Sequence, residues 1–263
     1  MSARDKSLNV SAYTLDGTNH LGDFLMLDFG IDITTEDGRG GAVAYEDHEE
    51  TKRKSTHGFE IFLNNATGDR LNAPAGMTVL NMNGDILASF TSVDFTVNNA
   101  TQDGSGAASL NEFPNAVSSS WTMTNARLIA ASETTLAELD DLASATASDR
   151  KVTISMTLGG WEFSIPAIIT SCRHSSNRGQ LDNLACTFRP SGGAPSVVNP
   201  GGGSADILSV AIEGDAIISI AATTGSRAYV GTGIITTCKV GISDRTLAKV
   251  SGTIDLQGVW AKS

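Results

Sequence analysis

The chain has 263 residues, of which 40% are hydrophobic and 18% are charged, and its formal net charge is −11. The length allows one large domain or two small ones, and the apolar content excludes a disordered chain. The acidic balance argues against a protein that binds nucleic acid by neutralising its phosphates, and because no run of eighteen apolar residues occurs, no membrane-spanning helix is expected. Frequent glycine (27 residues) and short apolar stretches favour a β-rich fold with many turns.

The N-terminal segment and the cysteines bear on where the protein is made. Residues 1–13 contain no apolar signal core, so export by the general secretory route is not expected. Cys172, Cys186 and Cys238 are odd in number and form no C-x-x-C motif. We therefore expect reduced, buried thiols in a protein made in a reducing cytosol.

The first predicted element is a pair of strands, here called unit A. Apolar side chains alternate over residues 27–33, which lead to an Asp-Gly turn at 37–38, and they alternate again over 59–63. A long polar segment separates the two strands, and we expect it to form an extended loop.

This loop contains the segment EDHEETKRK at 46–54, in which four acidic residues run directly into three basic ones. It is either an ordinary solvated loop or a contact loop whose divided charge matches a complementary surface in a homo-oligomer that stacks head to tail. The candidate residues of such a stacking loop are Glu46, Asp47, Glu49, Glu50, Lys52, Arg53 and Lys54.

The next predicted strands repeat unit A at a distance of 66 residues. The stretch LGDFLMLDFGIDITTEDGRGGA from Leu21 and the stretch LASFTSVDFTVNNATQDGSGAA from Leu87 share nine identities in 22 positions and the same apolar alternation. This second copy, unit A′, has its own Asp-Gly turn at 103–104 and a further strand near 121–123. The duplicated core positions are Phe24 with Phe90 and Phe29 with Phe95.

One helix is predicted after unit A′. Ser132 is a suitable N-cap for the stretch ETTLAELDDLASATA at 133–147, and Glu133 lies in its first turn. Leucines at three-residue spacing form one apolar stripe, which is typical of a helix that packs against a sheet. The pattern requires no binding or catalytic role.

Residues 152–188 alternate as a group of strands, unit B, and a second copy, unit B′, follows. The pentapeptide Ile-Ile-Thr-Ser-Cys at 168–172 recurs as Ile-Ile-Thr-Thr-Cys at 234–238, again 66 positions later. Cys172 and Cys238 are therefore expected to occupy one duplicated core position. A stretch rich in Gly and Pro at 194–205 predicts a flexible linker between the copies.

The units follow one another in the order A, A′, B, B′, which is not the order of a simple tandem duplication. One A–B pair nested inside another would produce this order, and so would two paired duplications within one domain; the sequence leaves both open. We predict a β domain over 1–193 that contains A, A′ and B, the linker at 194–205, and a B-type unit over 206–263 that could complete a domain with unit A.

No motif in the sequence indicates a catalytic, metal-binding or phosphate-binding site. The four histidines lie in no H-E-x-x-H or zinc-finger spacing, and the turn at 37–38 lacks both the G-K-[ST] ending of a phosphate loop and the spacing of a calcium loop. A nucleophile formed by Cys172 and His174 is disfavoured, because the repeat has Val240 at the position of the histidine. We expect no catalytic residue, no metal and no cofactor, and therefore no enzyme.

Four stretches, within residues 85–193, follow a succession of strand, polar turn, long loop, serine run and further strands. They are VDFTVNNATQDGSG at 93–106, NEFPNAVSSSWTM at 111–123, IITSC at 168–172 and LACTFRPSG at 184–192. This succession resembles the major tail tube proteins of long-tailed bacteriophages. Ser118 and Ser120 match a passage P-G-x-K-S-x-S of that family, in which Asn115 and Val117 stand in place of the Gly and Lys.

The resemblance implies an antiparallel β-sandwich or barrel with one short α-helix, here with internally duplicated β units. It implies a structural subunit that closes edge to edge into stacked rings, as a hexamer or as a pseudo-hexameric trimer, and that forms a conduit for DNA delivery. The implied partners are further copies of the chain, other tail proteins, and genomic DNA that passes through an acidic lumen without specific binding; no membrane is involved. The implied location is the virion tail, assembled in the host cytoplasm.

Two other functions stay open at the level of sequence. One is that of another virion component, such as a ring, baseplate or decoration protein. The other is a ligand-binding β-sandwich module, which would need an exposed aromatic platform.

Overall fold

The computed structural model describes most of the chain. The described residues are 10–37, 48–64, 70, 77–82, 85–106, 109–130, 146, 150–158, 161–178, 183–193, 195–198, 207–214, 216–243, 246–258 and 260–262.

This part of the chain consists mostly of antiparallel strands, which confirms the predicted mainly β fold. All fifteen strands belong to one hydrogen-bonded sheet. The strands are β1 (Val10–Leu15), β2 (Thr18–Asn19), β3 (Phe24–Asp37), β4 (His48–Phe62), β5 (Met77–Met82), β6 (Asp85–Asp103), β7 (Pro114–Ala130), β8 (Lys151–Leu158), β9 (Trp161–Ser175), β10 (Asn183–Pro190), β11 (Ser196–Val198), β12 (Ile217–Thr224), β13 (Arg227–Ser243), β14 (Lys249–Leu256) and β15 (Ala261–Lys262).

One helix, α1 (Ile207–Glu213), precedes β12 and was not predicted. A seven-residue segment after a Gly-rich stretch shows too little periodicity to be recognised as a helix. The predicted helix at 133–147 falls outside the described residues, apart from Thr146. Strand β11 lies within the segment 194–205 that the sequence analysis assigned to a linker.

The pairing of the strands repeats with the 66-residue shift seen in the sequence. In the β3–β4 pair Phe29 lies opposite His57, and in the β6–β7 pair Phe95 lies opposite Met123. One bulge coincides, because the register slips at Thr34/Thr35 in one pair and at Ala100/Thr101 in the other, whereas the slip at Ser92/Asp94 has no counterpart in the β3–β4 pair. The structure therefore carries the A–A′ duplication down to this bulge.

The B units repeat in the same way. The β8–β9 pair runs from Lys151 opposite Ile168, and the β12–β13 pair runs from Ile217 opposite Ile234, with eight matching residue pairs in each. Both hairpins turn within two residues.

The longer-range pairs show which A unit joins which B unit. Strand β14 pairs with β4, with Ile254 opposite His57, and β10 pairs with β7, with Phe188 opposite Met123. Strand β1 pairs with β12, as β5 pairs with β8. Unit A thus pairs with B′ and forms an outer set of strands (β1–β4 and β12–β15), whereas A′ pairs with B and forms an inner set (β5–β11).

Alternate residues of the strands form the hydrophobic core. In β9, for example, Trp161, Phe163 and Ile165 are buried while the residues between them are partly or fully exposed. A tight turn at Asp16-Gly17 joins β1 to β2, and both of its residues have positive φ angles of 47° and 78°. This conformation is that of a type I′ hairpin turn, for which Asp-Gly is a preferred sequence.

Candidate functional site at two strand edges

The outer and inner sets are joined by one strand pair, which we call the junction. Strand β13 pairs antiparallel with β6 over seven residue pairs, from Thr237 opposite Asn98 to Ser243 opposite Ser92. Over this stretch β13 has β14 on its other side, and β6 has β7 on its other side. The junction therefore continues one sheet from the outer set into the inner set.

Alternate side chains of the junction are buried. Phe95 and Val97 of β6 and Cys238 and Val240 of β13 are each no more than 1% exposed. Beside them, the buried Asn99 donates hydrogen bonds from Nδ2 to the carbonyl oxygens of two residues, each at 2.8 Å. These acceptors are Ala211 of α1 and Ile235 of β13.

An ion pair also spans the junction. Lys239 Nζ of β13 lies 3.3 Å from Asp94 Oδ1 of β6. Both side chains keep contact with solvent. This pair therefore contributes little to stability, but it favours one relative position of the two strands.

The 66-residue repeat places a counterpart of each junction strand elsewhere in the chain. The counterpart of β13 237–243 is 171–177, in and just after β9, and the counterpart of β6 92–98 is β3 26–32. The pairing of β8 with β9 reaches along β9 as far as Ile168. Beyond this residue, β9 pairs with β10 alone among the described strands. Strand β3 likewise has β4 as its one strand neighbour in the described part of the chain. We call these two segments the β9 edge and the β3 edge.

Exposure differs sharply between the junction and its counterparts. Ile31 on the β3 edge is 45% exposed, whereas its counterpart Val97 is 1% exposed. Cys172 on the β9 edge is half-buried, whereas its counterpart Cys238 is fully buried. Ile31 and Cys172 are therefore more exposed at the two edges than their counterparts are in the junction.

The charged segment 46–54 is not simply a loop, as the sequence analysis had it. From His48 onward it is the first half of β4, paired with β3. Glu46 and Asp47 lie outside the described residues, as do the side chain of Glu49 and that of His48. The segment shows no alternation between core and solvent that would predict a strand, because its side chains at 50–54 are all partly exposed.

The basic residues of that segment make contacts within the chain. Arg53 pairs with Glu50, Lys52 Nζ lies 3.0 Å from Asp103 Oδ2, and Lys54 Nζ lies 2.7 Å from the nearly buried Asp255. Their role in stacking stays a prediction, but their contacts show that they also tie β4 to neighbouring strands.

Asp103 closes the end of the β6–β7 hairpin. Its carboxylate accepts hydrogen bonds from the backbone N–H of Ser105 and of Phe113, and from the Ser105 hydroxyl. These donors, with Lys52, hold the pKa of Asp103 well below its usual range. The Asp-Gly turn predicted at 103–104 thus has a structural role.

The predicted duplicated core positions differ in their surroundings. Phe95 is buried beside Trp121, and Phe29 stacks on His57 and on Tyr229, with ring centroids 4.8 and 4.7 Å away. The remaining positions are Phe24, half-buried and edge-on to Tyr13; Phe90, in β6, whose side chain is outside the described part; and Cys172 and Cys238, treated above.

A buried polar pair that was not predicted, Tyr13 with His57, lies in this aromatic cluster. His57 Nδ1–H donates to the Asp28 carbonyl oxygen at 2.8 Å, so that Nε2 accepts from the Tyr13 hydroxyl at 3.0 Å. Burial lowers the pKa of His57 to about 4 and raises that of Tyr13. The signal was present in the sequence, because His57 continues the alternation of Phe59, Ile61 and Leu63.

Within the described residues, no group of three or more His, Cys, Asp or Glu side chains is placed to hold a metal ion. In the same part of the chain, no helix has the length and apolar character needed to cross a membrane. The chain matches no protein-family model, and no curated protein is significantly similar to it in sequence.

Proposed function

We propose that the protein is a structural, non-catalytic subunit that polymerises through its strand edges into the tail tube of a long-tailed bacteriophage. The observation that carries the proposal is the junction, together with the two uncovered edges that repeat its two sides. A chain that joins two similar sets of strands through one kind of contact, and presents both halves of that contact again, is suited to adding further copies of itself.

The geometry of the junction is head-to-tail, because a B′ strand meets an A′ strand rather than a strand of its own kind. Repeating a head-to-tail contact generates a closed ring when the rotation divides a full turn, and a filament otherwise. Each chain contributes two sets of strands. A ring of sixfold appearance, as the resemblance implies, therefore needs three copies.

The charge of the chain fits a conduit for DNA. Each copy carries a formal charge of −11, so three copies carry three times that charge, or −33. Acidic side chains that face a lumen would repel the phosphates of passing DNA and keep it from binding. Other tail proteins would meet the two ends of the stack of rings.

Negative-stain electron microscopy of the concentrated protein tests this proposal. We expect rings and hollow tubes of uniform diameter. Rings that never stack would point to another virion ring or baseplate component. Dispersed monomers at every concentration and ionic strength, also in the presence of preformed tail tips, would contradict the proposal and favour a ligand-binding module.

A further inference from the structure

We propose that the β9 edge of one copy pairs antiparallel with the β3 edge of the next, in the register of the internal junction, so that Cys172 lies opposite Ile31. The proposal names the partner surface and the register of the assembly proposed above, and it rests on that function. The partner is a second copy of this chain.

The register follows from the repeat. Junction strands pair Thr237 with Asn98 and Cys238 with Val97. Subtracting the 66-residue shift from both members places Ser171 opposite Asp32 and Cys172 opposite Ile31. The shift is applied to strands whose hairpin pairing also repeats from Asp28 to Asp37 and from Asp94 to Asp103, including the bulges at Thr34/Thr35 and Ala100/Thr101.

The β3 edge has the surface of a strand that is covered in the assembled state. Strand β3 is fourteen residues long and contains neither proline nor lysine, two devices by which proteins protect exposed edges. It also bears four exposed large apolar side chains. They are Leu25, Met26, Ile31 and Ile33.

Charge complementarity supports the same register. The ion pair of the junction, Lys239 with Asp94, has the counterparts Arg173 on the β9 edge and Asp28 on the β3 edge. The two pairs have charges of the same signs, with arginine at the position that corresponds to the lysine. Both counterparts are exposed in the single chain, and in the proposed register they would meet as diagonal neighbours on one face of the new strand pair.

Disulfide trapping tests the register on the full chain. In Ile31→Cys, an exposed position whose change leaves the core intact, mild oxidation with copper phenanthroline is expected to give a ladder of covalent multimers that reductant reverses. Residues directly opposite on antiparallel strands have Cα atoms 4.5 to 5.5 Å apart, roughly the spacing that a disulfide needs. Ile31→Cys with Cys172→Ser should give no ladder. Thr34→Cys, which lies three residues away and points to the other face, should give none either.

The outcomes separate this proposal from that of the function. Tubes in the microscope without a ladder from Ile31→Cys would overturn the register and leave the tail tube function standing. A ladder without tubes or rings would support the pairing and contradict the tube. Covalent dimers that persist in Ile31→Cys with Cys172→Ser would show β3 edges pairing with each other, and they would overturn the proposal.

Charge reversal gives a second, independent test that needs no oxidation. Asp28→Arg and Arg173→Asp should each raise the protein concentration needed for half-assembly. We expect an increase of roughly two- to fivefold, because loss of an exposed ion pair on a sheet weakens association by about that factor. The double variant should return it to that of the unmodified protein. Two effects that simply add in the double variant would contradict the contact.

Discussion

At the scale of single residues, the two copies differ where their surroundings differ. Met123 and His57 occupy one duplicated position, and both are buried. Met123 needs no polar partner, whereas His57 requires the Tyr13 hydroxyl and the Asp28 carbonyl oxygen. Burial disfavours the charged form of the imidazole, so His57 is kept neutral in the folded chain.

This arrangement predicts how stability depends on pH. The folded chain keeps His57 neutral down to pH about 4, while the unfolded chain binds a proton below pH about 6.5. The contribution of His57 is therefore complete above pH 6.5 and is lost as the pH falls towards 4. We expect the free energy of unfolding, measured by urea denaturation, to fall by about 3 kcal/mol through this group between pH 7 and pH 4.

The repeat supplies the control for this measurement. In His57→Met with Tyr13→Phe, the duplicated position takes the residue of the other copy and the phenol loses its hydroxyl. The pH dependence that remains belongs to the carboxylates, and the difference between the two proteins isolates His57. Parallel pH profiles for both would contradict the assignment.

At the scale of strands, the sequence predicted most of the strands and left the pairing of the units open. Alternation located the strands around Phe29, Phe95 and Phe163, because one face of each packs against the hydrophobic core. It failed at 48–54, where β4 extends as a hairpin arm whose charged side chains make lateral contacts instead of entering the core. The sequence left the pairing of A with B′ as one of two open arrangements, because the choice depends on contacts between strands nearly 200 residues apart.

The junction is the element whose stability can be tested by a single substitution. Asn99→Ala removes both donors to the carbonyl oxygens of Ala211 and Ile235, which are buried beside it. Buried acceptors left without a donor are costly, so the free energy of unfolding should fall by about 2 kcal/mol.

The counterpart of Asn99 in the other copy is Ile33, which is 56% exposed. Ile33→Ala should change the stability of the single chain by no more than about 0.5 kcal/mol. Equal losses in the two variants, measured by urea denaturation of dilute protein, would show that the junction and the β3 edge are not as different as their exposures indicate.

At the scale of the whole molecule, the inner set of strands is inserted into the outer set, and the junction joins them. The candidate surface depends on this arrangement. The contact between a B′ strand and an A′ strand forms inside the chain, at the junction. The counterparts of its two strands remain at the β9 and β3 edges. The sequence predicted the duplication, because the same residues recur 66 positions apart. The sequence did not predict the surface, because whether a strand lies at the edge of a sheet depends on which other strands pair with it.

The most direct test of the account is the mass of the smallest stable assembly, measured by native mass spectrometry over a range of protein concentrations. With two sets of strands in each chain, a ring of sixfold appearance, as the resemblance implies, predicts a closed trimer of about 82 kDa, three times the 27.3 kDa of one chain, and multiples of it as rings stack. A dimer that grows no further would indicate a symmetric contact. Either that dimer or a monomer at all concentrations would contradict the central claim.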